Sequence, residues 1–128
     1  MVLVDTSVWI DHLRSNEPLL VSLLENTRVL SHPFVRGELA LGNLPRRPTI
    51  LGLLDNLPQA SVAFADEINL FIETHSLFGL GIGFVDVHLL ASAQLTDNAC
   101  GHVINAYWQW LSALTWIISH ESFNRIGC

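Results

Sequence analysis

The sequence predicts an α/β domain in which a central, mostly parallel sheet is flanked by helices. Three observations carry that expectation. Short apolar runs at residues 2–5 and 28–31 alternate with longer segments of helical periodicity. Asn16, Pro18, Pro33, Gly42 and Pro48 punctuate the junctions between them. The length of 128 residues, half of them hydrophobic, suits one domain with a real core.

Taken in order, VLVD at 2–5 reads as a buried strand ending on an acid. Thr6 or Ser7 can cap the next helix, with Val8, Trp9, Leu13 and Ile10 facing inward. Asn16 then caps a second helix, which carries Pro18 in its first turn and Leu19, Leu20, Leu23 and Leu24 at helical spacing. RVLS at 28–31 is the second strand, and Pro33 opens a helix that Gly42 stops. Pro45, Arg46, Arg47 and Pro48 form a loop into a helix over about 48–57. Residues 61–64 read as a third strand, followed by a helix over about 65–77. Gly79, Gly81 and Gly83 lead through a loop to a helix over 84–96.

Charge narrows the function. Twelve acids face six bases, every base is an arginine, and the net charge is −6. A surface that grips nucleic acid by charge alone is excluded, whereas an approach to phosphate through bound metal is not. The N-terminus lacks a basic region and carries Asp5 and Asp11, so no signal peptide is expected. Cys100 and Cys128 show no metal spacing, and a reducing cytoplasm is the expected location. There is no GxSxG, no HExxH and no Walker loop.

Three acids stand in mainly apolar surroundings: Asp5 in DTSVWIDHL, Glu38 in VRGELALG and Asp86 in GIGFVDVHLLASA. Asp5 lies where a strand passes into a helix, the place where α/β sheets build sites. Buried alone, each acid would be costly. Read singly, Asp5 is a helix cap, Glu38 a solvated residue and Asp86 a first-turn acid complementing the helix dipole. Read together, they converge on a cation. Periodicity leaves both accounts open.

The blocks MVLVDTSVWIDHLR, HPFVRGELALG and GIGFVDVHLLASA, in this order, resemble the PIN-domain ribonucleases, and among them the VapC toxins of bacterial toxin–antitoxin pairs. The resemblance runs over about residues 1–97. It implies a PIN-like parallel-sheet sandwich in which Asp5, Glu38 and Asp86 gather around Mg2+ or Mn2+, with Thr6 or Ser7 assisting by hydrogen bonding. It implies a metal-dependent endoribonuclease toxin that hydrolyses RNA and is neutralised by a cognate VapB-like antitoxin. A homodimer paired through the helices at 48–57 and 65–77 is expected with it. Arg46 and Arg47 are the favoured RNA contacts. The alternative is a catalytically impaired PIN-fold module that still binds the antitoxin.

The last thirty residues depart from this pattern. Only Glu121 and Arg125 carry charge there, yet three of the four tryptophans lie in this segment. Residues 103–118 are uncharged but too short and too polar for a membrane span, which needs about twenty apolar residues. The resemblance implies a fourth acid about eighteen residues past Asp86, after a strand; Val103 and Ile104 stand there, and the strand, the acid and the final charged helix are expected to be absent. The expected division is therefore a PIN-like domain over 1–98 and an atypical apolar segment over 99–128. A reading-frame shift near Cys100 accounts for the loss of charge and of the acid together. If Val103 is encoded by GTG, the triplet spanning Val103 and Ile104 becomes an aspartate codon. A diverged C-terminal helix is the competing account.

Overall fold

The computed structural model describes residues 1–97 and 102–104 of the chain. Among them β1 (Val2–Val4) is followed by α1 (Thr6–Ser15), α2 (Pro18–Glu25), β2 (Val29–Leu30) and α3 (Pro33–Leu41). Then come α4 (Arg47–Asn56), α5 (Ala65–Thr74), α6 (Phe84–Asp97) and β3 (His102–Ile104). The three strands form one parallel sheet in the order β2-β1-β3. Each strand is too short to hold by its own hydrogen bonds. Burial on both faces stabilises it, as parallel sheets require, and Leu3 and Val4 at the centre are almost fully enclosed.

The expected α/β architecture is present, with four differences of detail. Asp5, not Thr6 or Ser7, caps α1, because its carboxylate reaches the Ser7 backbone N–H. Asn16 does not cap α2; it ends α1 in a left-handed conformation at φ 54°, a geometry that asparagine tolerates. Ile10 lies on the outer side of α1, while Val8 and Trp9 are buried. Residues 61–64 form no strand. The chain meets the sheet edge slightly earlier, where Ser31 bridges Gln59 in parallel fashion. Further along, the Ser61 N–H is taken by the Thr96 hydroxyl at 2.8 Å, and Val62 and Phe64 face outward.

The strand expected to be absent past Asp86 does form, which corrects the sequence reading. His102–Ile104 pairs along the whole of β1, and Val103 and Ile104 are buried against α6. The uncharged character of the surrounding segment hid it, since three residues carry no measurable period. The other expectations for the tail fall on residues outside the described ones.

Every strand runs the same way, so the carboxyl ends of β1, β2 and β3 lie at one edge of the sheet. Helices α1, α3 and α6 return from that edge or near it. Asp5, the start of α3 and the first turn of α6 are thereby brought to one end of the molecule.

Candidate active site

Asp5 sits where β1 becomes α1 and is only 7% exposed. Its N–H donates to the Ile104 carbonyl at 3.0 Å, so β3 helps fix its backbone. Its Oδ2 accepts the Ser7 N–H at 3.2 Å and the Ser7 hydroxyl at 2.5 Å. A carboxylate that both caps a helix and accepts a hydroxyl is held in one rotamer.

Glu38 is exposed on α3 and reaches toward α1, where its Oε1 accepts the Thr6 hydroxyl at 3.1 Å. Thr6 and Ser7 thus each orient one acid: Ser7 holds Asp5 and Thr6 holds Glu38. Asp86 lies in the first turn of α6 and is half-buried. Burial raises its carboxyl above the ordinary value of 3.8, and the charges of Asp5 and then Glu38 push in the same direction. Asp86 therefore stands within electrostatic range of both Asp5 and Glu38. Gly83 stands close by; a Cβ added there would lie 3.3 Å from Asp86 Oδ2.

Among the described residues, no three His, Cys, Asp or Glu side chains converge tightly enough to enclose one ion. Magnesium does not demand that. It binds through one or two carboxylates and keeps several waters. An all-oxygen set of mutually repelling carboxylates, with no thiol or histidine aimed among them, has the donor chemistry of a hard divalent cation.

A histidine that sequence reasoning passed over organises the site from behind. His32 is fully buried and caps α3, its Nδ1 accepting the Phe34 N–H at 3.0 Å. Nε2 therefore carries the ring proton and lies 2.9 Å from the Ser92 hydroxyl on α6. The ring joins the helix bearing Glu38 to the helix bearing Asp86. Burial, and then the neighbouring His88, lowers its pKa from 6.5 to about 4. The only signal in the sequence was a histidine placed just before a helix-opening proline. His88 lies against Phe34 and Phe84, each ring 4.7 Å away, and burial lowers its pKa as well.

The arginines are placed differently from one another. Arg36 forms a two-pronged pair with Asp55, joining α3 to α4 at the surface. Arg47 donates to the Ala40 carbonyl at 3.0 Å and closes the end of α3. Arg46 precedes α4 in a left-handed conformation.

A small parallel sheet flanked by helices, with one acid just after the first strand and one on each of two flanking helices, is the arrangement of a PIN-like domain. No family model and no solved structure matches the chain. Curated relatives do. Ribonuclease VapC32 of Mycobacterium tuberculosis, in strains CDC 1551 / Oshkosh and ATCC 25618 / H37Rv, is 46% identical over 99 residues, covering 77% of this chain and 80% of the relative. The chain belongs to the VapC family of PIN-domain ribonucleases.

Proposed function

We propose that this chain is an endoribonuclease toxin that hydrolyses RNA phosphodiester bonds with Mg2+ or Mn2+ and is neutralised by a VapB-like antitoxin. The observation that carries the reading is that adjacent Thr6 and Ser7 hold Glu38 and Asp5 side by side at the carboxyl edge of the sheet, within electrostatic range of Asp86. Three carboxylates held against their own repulsion are stabilised by a cation, and a cation is what a chain of net charge −6 needs to meet phosphate. Membership of a ribonuclease family supports the same substrate.

Asp5, Glu38 and Asp86 would hold the metal, which when bound polarises the phosphoryl oxygen and lowers the pKa of a water. Asp5, fixed by Ser7 and by the strand end, sets the position of the site. Glu38 is kept turned toward α1 by Thr6. Asp86, whose carboxyl is raised by burial and by the charges of Asp5 and Glu38, is suited to accept the proton of the attacking water. No covalent protein nucleophile is needed. Asp5→Asn tests the reading: RNA cleavage in magnesium or manganese should disappear, and cleavage at the unmodified rate would remove Asp5 from the mechanism.

Pairing of two copies is part of the proposal, through exposed apolar residues on α4 and α5 such as Leu53 and Leu70. No described helix is long and apolar enough to cross a membrane. Action in the cytoplasm, where RNA substrates reside, follows from the same reading.

One observation favours a second reading, a catalytically impaired module that still binds the antitoxin. Ile104 ends β3 beside Asp5, buried and apolar, at the position where a fourth acid was expected. A site short of one carboxylate holds less divalent metal and turns over more slowly.

A further inference from the structure

Helices α3 and α6 carry Glu38 and Asp86, and one buried hydrogen bond joins them. His32, which caps α3, is fully buried, and so is Ser92 in the middle of α6. With Nδ1 accepting the Phe34 N–H, the His32 Nε2–H donates to Ser92 Oγ at 2.9 Å. Glu38 follows His32 by six positions, and Asp86 precedes Ser92 by six. Each acid therefore stands about 9 Å of helix away from the bond, at a rise of about 1.5 Å per residue.

The bond is braced from behind. The Ser92 carbonyl accepts the Thr96 hydroxyl at 2.7 Å, and Thr96 Oγ in turn accepts the Ser61 N–H at 2.8 Å. One residue earlier, the Ala60 N–H donates to the Ser31 carbonyl at 2.8 Å, and Ser31 adjoins His32 in the chain. The circuit thus runs from His32 through α6 to the segment after α4, and back along the end of β2. A closed circuit holds one geometry, since opening the bond between His32 and Ser92 strands a buried donor. In front of it the Phe34 and His88 rings meet at 4.7 Å, between the bond and the two acids.

We propose that His32 and Ser92 are positioning residues, their hydrogen bond setting the separation of Glu38 from Asp86 and so the affinity of the site for a divalent cation. The inference rests on the metal reading above. Ser7 and Thr6 already tie Asp5 and Glu38 to α1, so the relation of α6 to α3 decides where the third carboxylate stands. Magnesium accepts oxygen ligands only in a near-ideal octahedron. A helix that leans at the bond withdraws the carboxylate farther along it.

Two readouts on the full chain separate positioning from ordinary stability. One is manganese binding, followed by the electron paramagnetic resonance of the free ion. The other is the distance between spin labels on the two helices, measured without metal. The labels go on Leu41→Cys and Phe84→Cys, both exposed, with Cys100→Ser and Cys128→Ser in every sample. In Ser92→Ala the manganese Kd should rise about tenfold, the lower edge of what outer-shell partners contribute, and the label distances should broaden. His32→Asn keeps an acceptor for the Phe34 N–H but is too short for Ser92, and it should match Ser92→Ala. His32→Gln does the reverse: it reaches Ser92 and loses the cap. Its manganese Kd should stay within about twofold although it melts lower. Ser92→Ala combined with His32→Asn should be no worse than either alone. Ile68→Val, a buried truncation on α5, destabilises the fold by another route and should leave both readouts unchanged.

Unchanged label distances in Ser92→Ala overturn the proposal whatever the metal does. So does a loss of manganese binding in Ile68→Val equal to that in Ser92→Ala, which would reduce the effect to general stability. A loss in His32→Gln as large as in His32→Asn would overturn it too, by assigning the effect to the helix cap. Absence of manganese binding by the unmodified chain would overturn the metal reading, while the label distances still decide whether this bond sets the spacing of the two helices.

Discussion

Thr6 and Glu38 lie 32 positions apart in the chain, yet the hydroxyl of the first donates to the carboxylate of the second at 3.1 Å. This bond ties α1, which starts at Asp5, to α3. Thr6→Val keeps the shape and removes the donor. It should cost about 1 kcal/mol of stability, the usual net value of such a bond. It should also reduce cleavage more than that loss explains, because Glu38 is then free to turn into solvent. Thr6→Ser should restore most of both. Urea unfolding and initial rates on the same preparations check the pair of outcomes.

Asp5→Asn separates fold from chemistry. Asparagine caps helices about as well as aspartate, so the melting temperature should move little. Divalent-dependent cleavage should be lost, and a calorimetric titration with manganese should show weaker binding. A variant that unfolds would show instead that the carboxylate is needed by the fold.

Gly83 offers a gentler perturbation. Gly83→Ala places a methyl 3.3 Å from Asp86 Oδ2, tight enough that the carboxylate must shift by a few tenths of an ångström. Stability should hardly change, since a side chain can yield. The magnesium concentration giving half-maximal cleavage should rise several-fold.

His32 predicts a pH dependence of stability. Folded, it stays neutral down to about pH 4; unfolded, it protonates near 6.5. As pH falls, the unfolded chain takes up the proton first, so stability present above about 6.5 is lost progressively toward 4. At about 1.4 kcal/mol per unit the full effect is on the order of 3 kcal/mol. Thermal melts across that range should show the decline, and His32→Asn, which keeps a cap but cannot titrate, should flatten it. A decline of equal size in the variant would assign it to other groups.

The tail yields a prediction at the level of the gene. Nucleotide sequence across codons 95–118 should show that a single-base change of frame near Cys100 restores an acid at position 103 or 104. A chain carrying the restored tail should cleave RNA faster, and at lower magnesium, than the chain as it stands. Equal activity of the two would mark the present tail as a true alternative.

Much of this was legible beforehand, and for identifiable reasons. Asp5, Glu38 and Asp86 stood out because acids in apolar stretches need a partner; in the structure Thr6 donates to Glu38, Ser7 to Asp5, and Asp86 feels both charges. The alternation of strand and helix survived because each amphipathic stretch is long enough to show its period. His32 escaped notice because its role depends on Ser92, sixty positions away, which no local pattern reports. The third strand was misplaced for a related reason. Residues 61–64 had strand-like composition but no free neighbour, whereas His102–Ile104 lay in unpromising sequence beside the open edge of β1. Arginine placement was not legible either: Arg47 donates to the Ala40 carbonyl, and Arg14 lines the cavity beside Glu38, neither of which a local pattern reports.

The order of the strands has a bearing on biosynthesis. β1 is central, and the backbone of Asp5 is secured by Ile104, about a hundred residues later. A ribosome therefore has to release nearly the whole sheet before the first acid is locked in place. Contacts this distant along the chain form late. Asp5 therefore gains its full backbone anchoring only once β3 has joined β1, the last strand made completing the surroundings of the first acid.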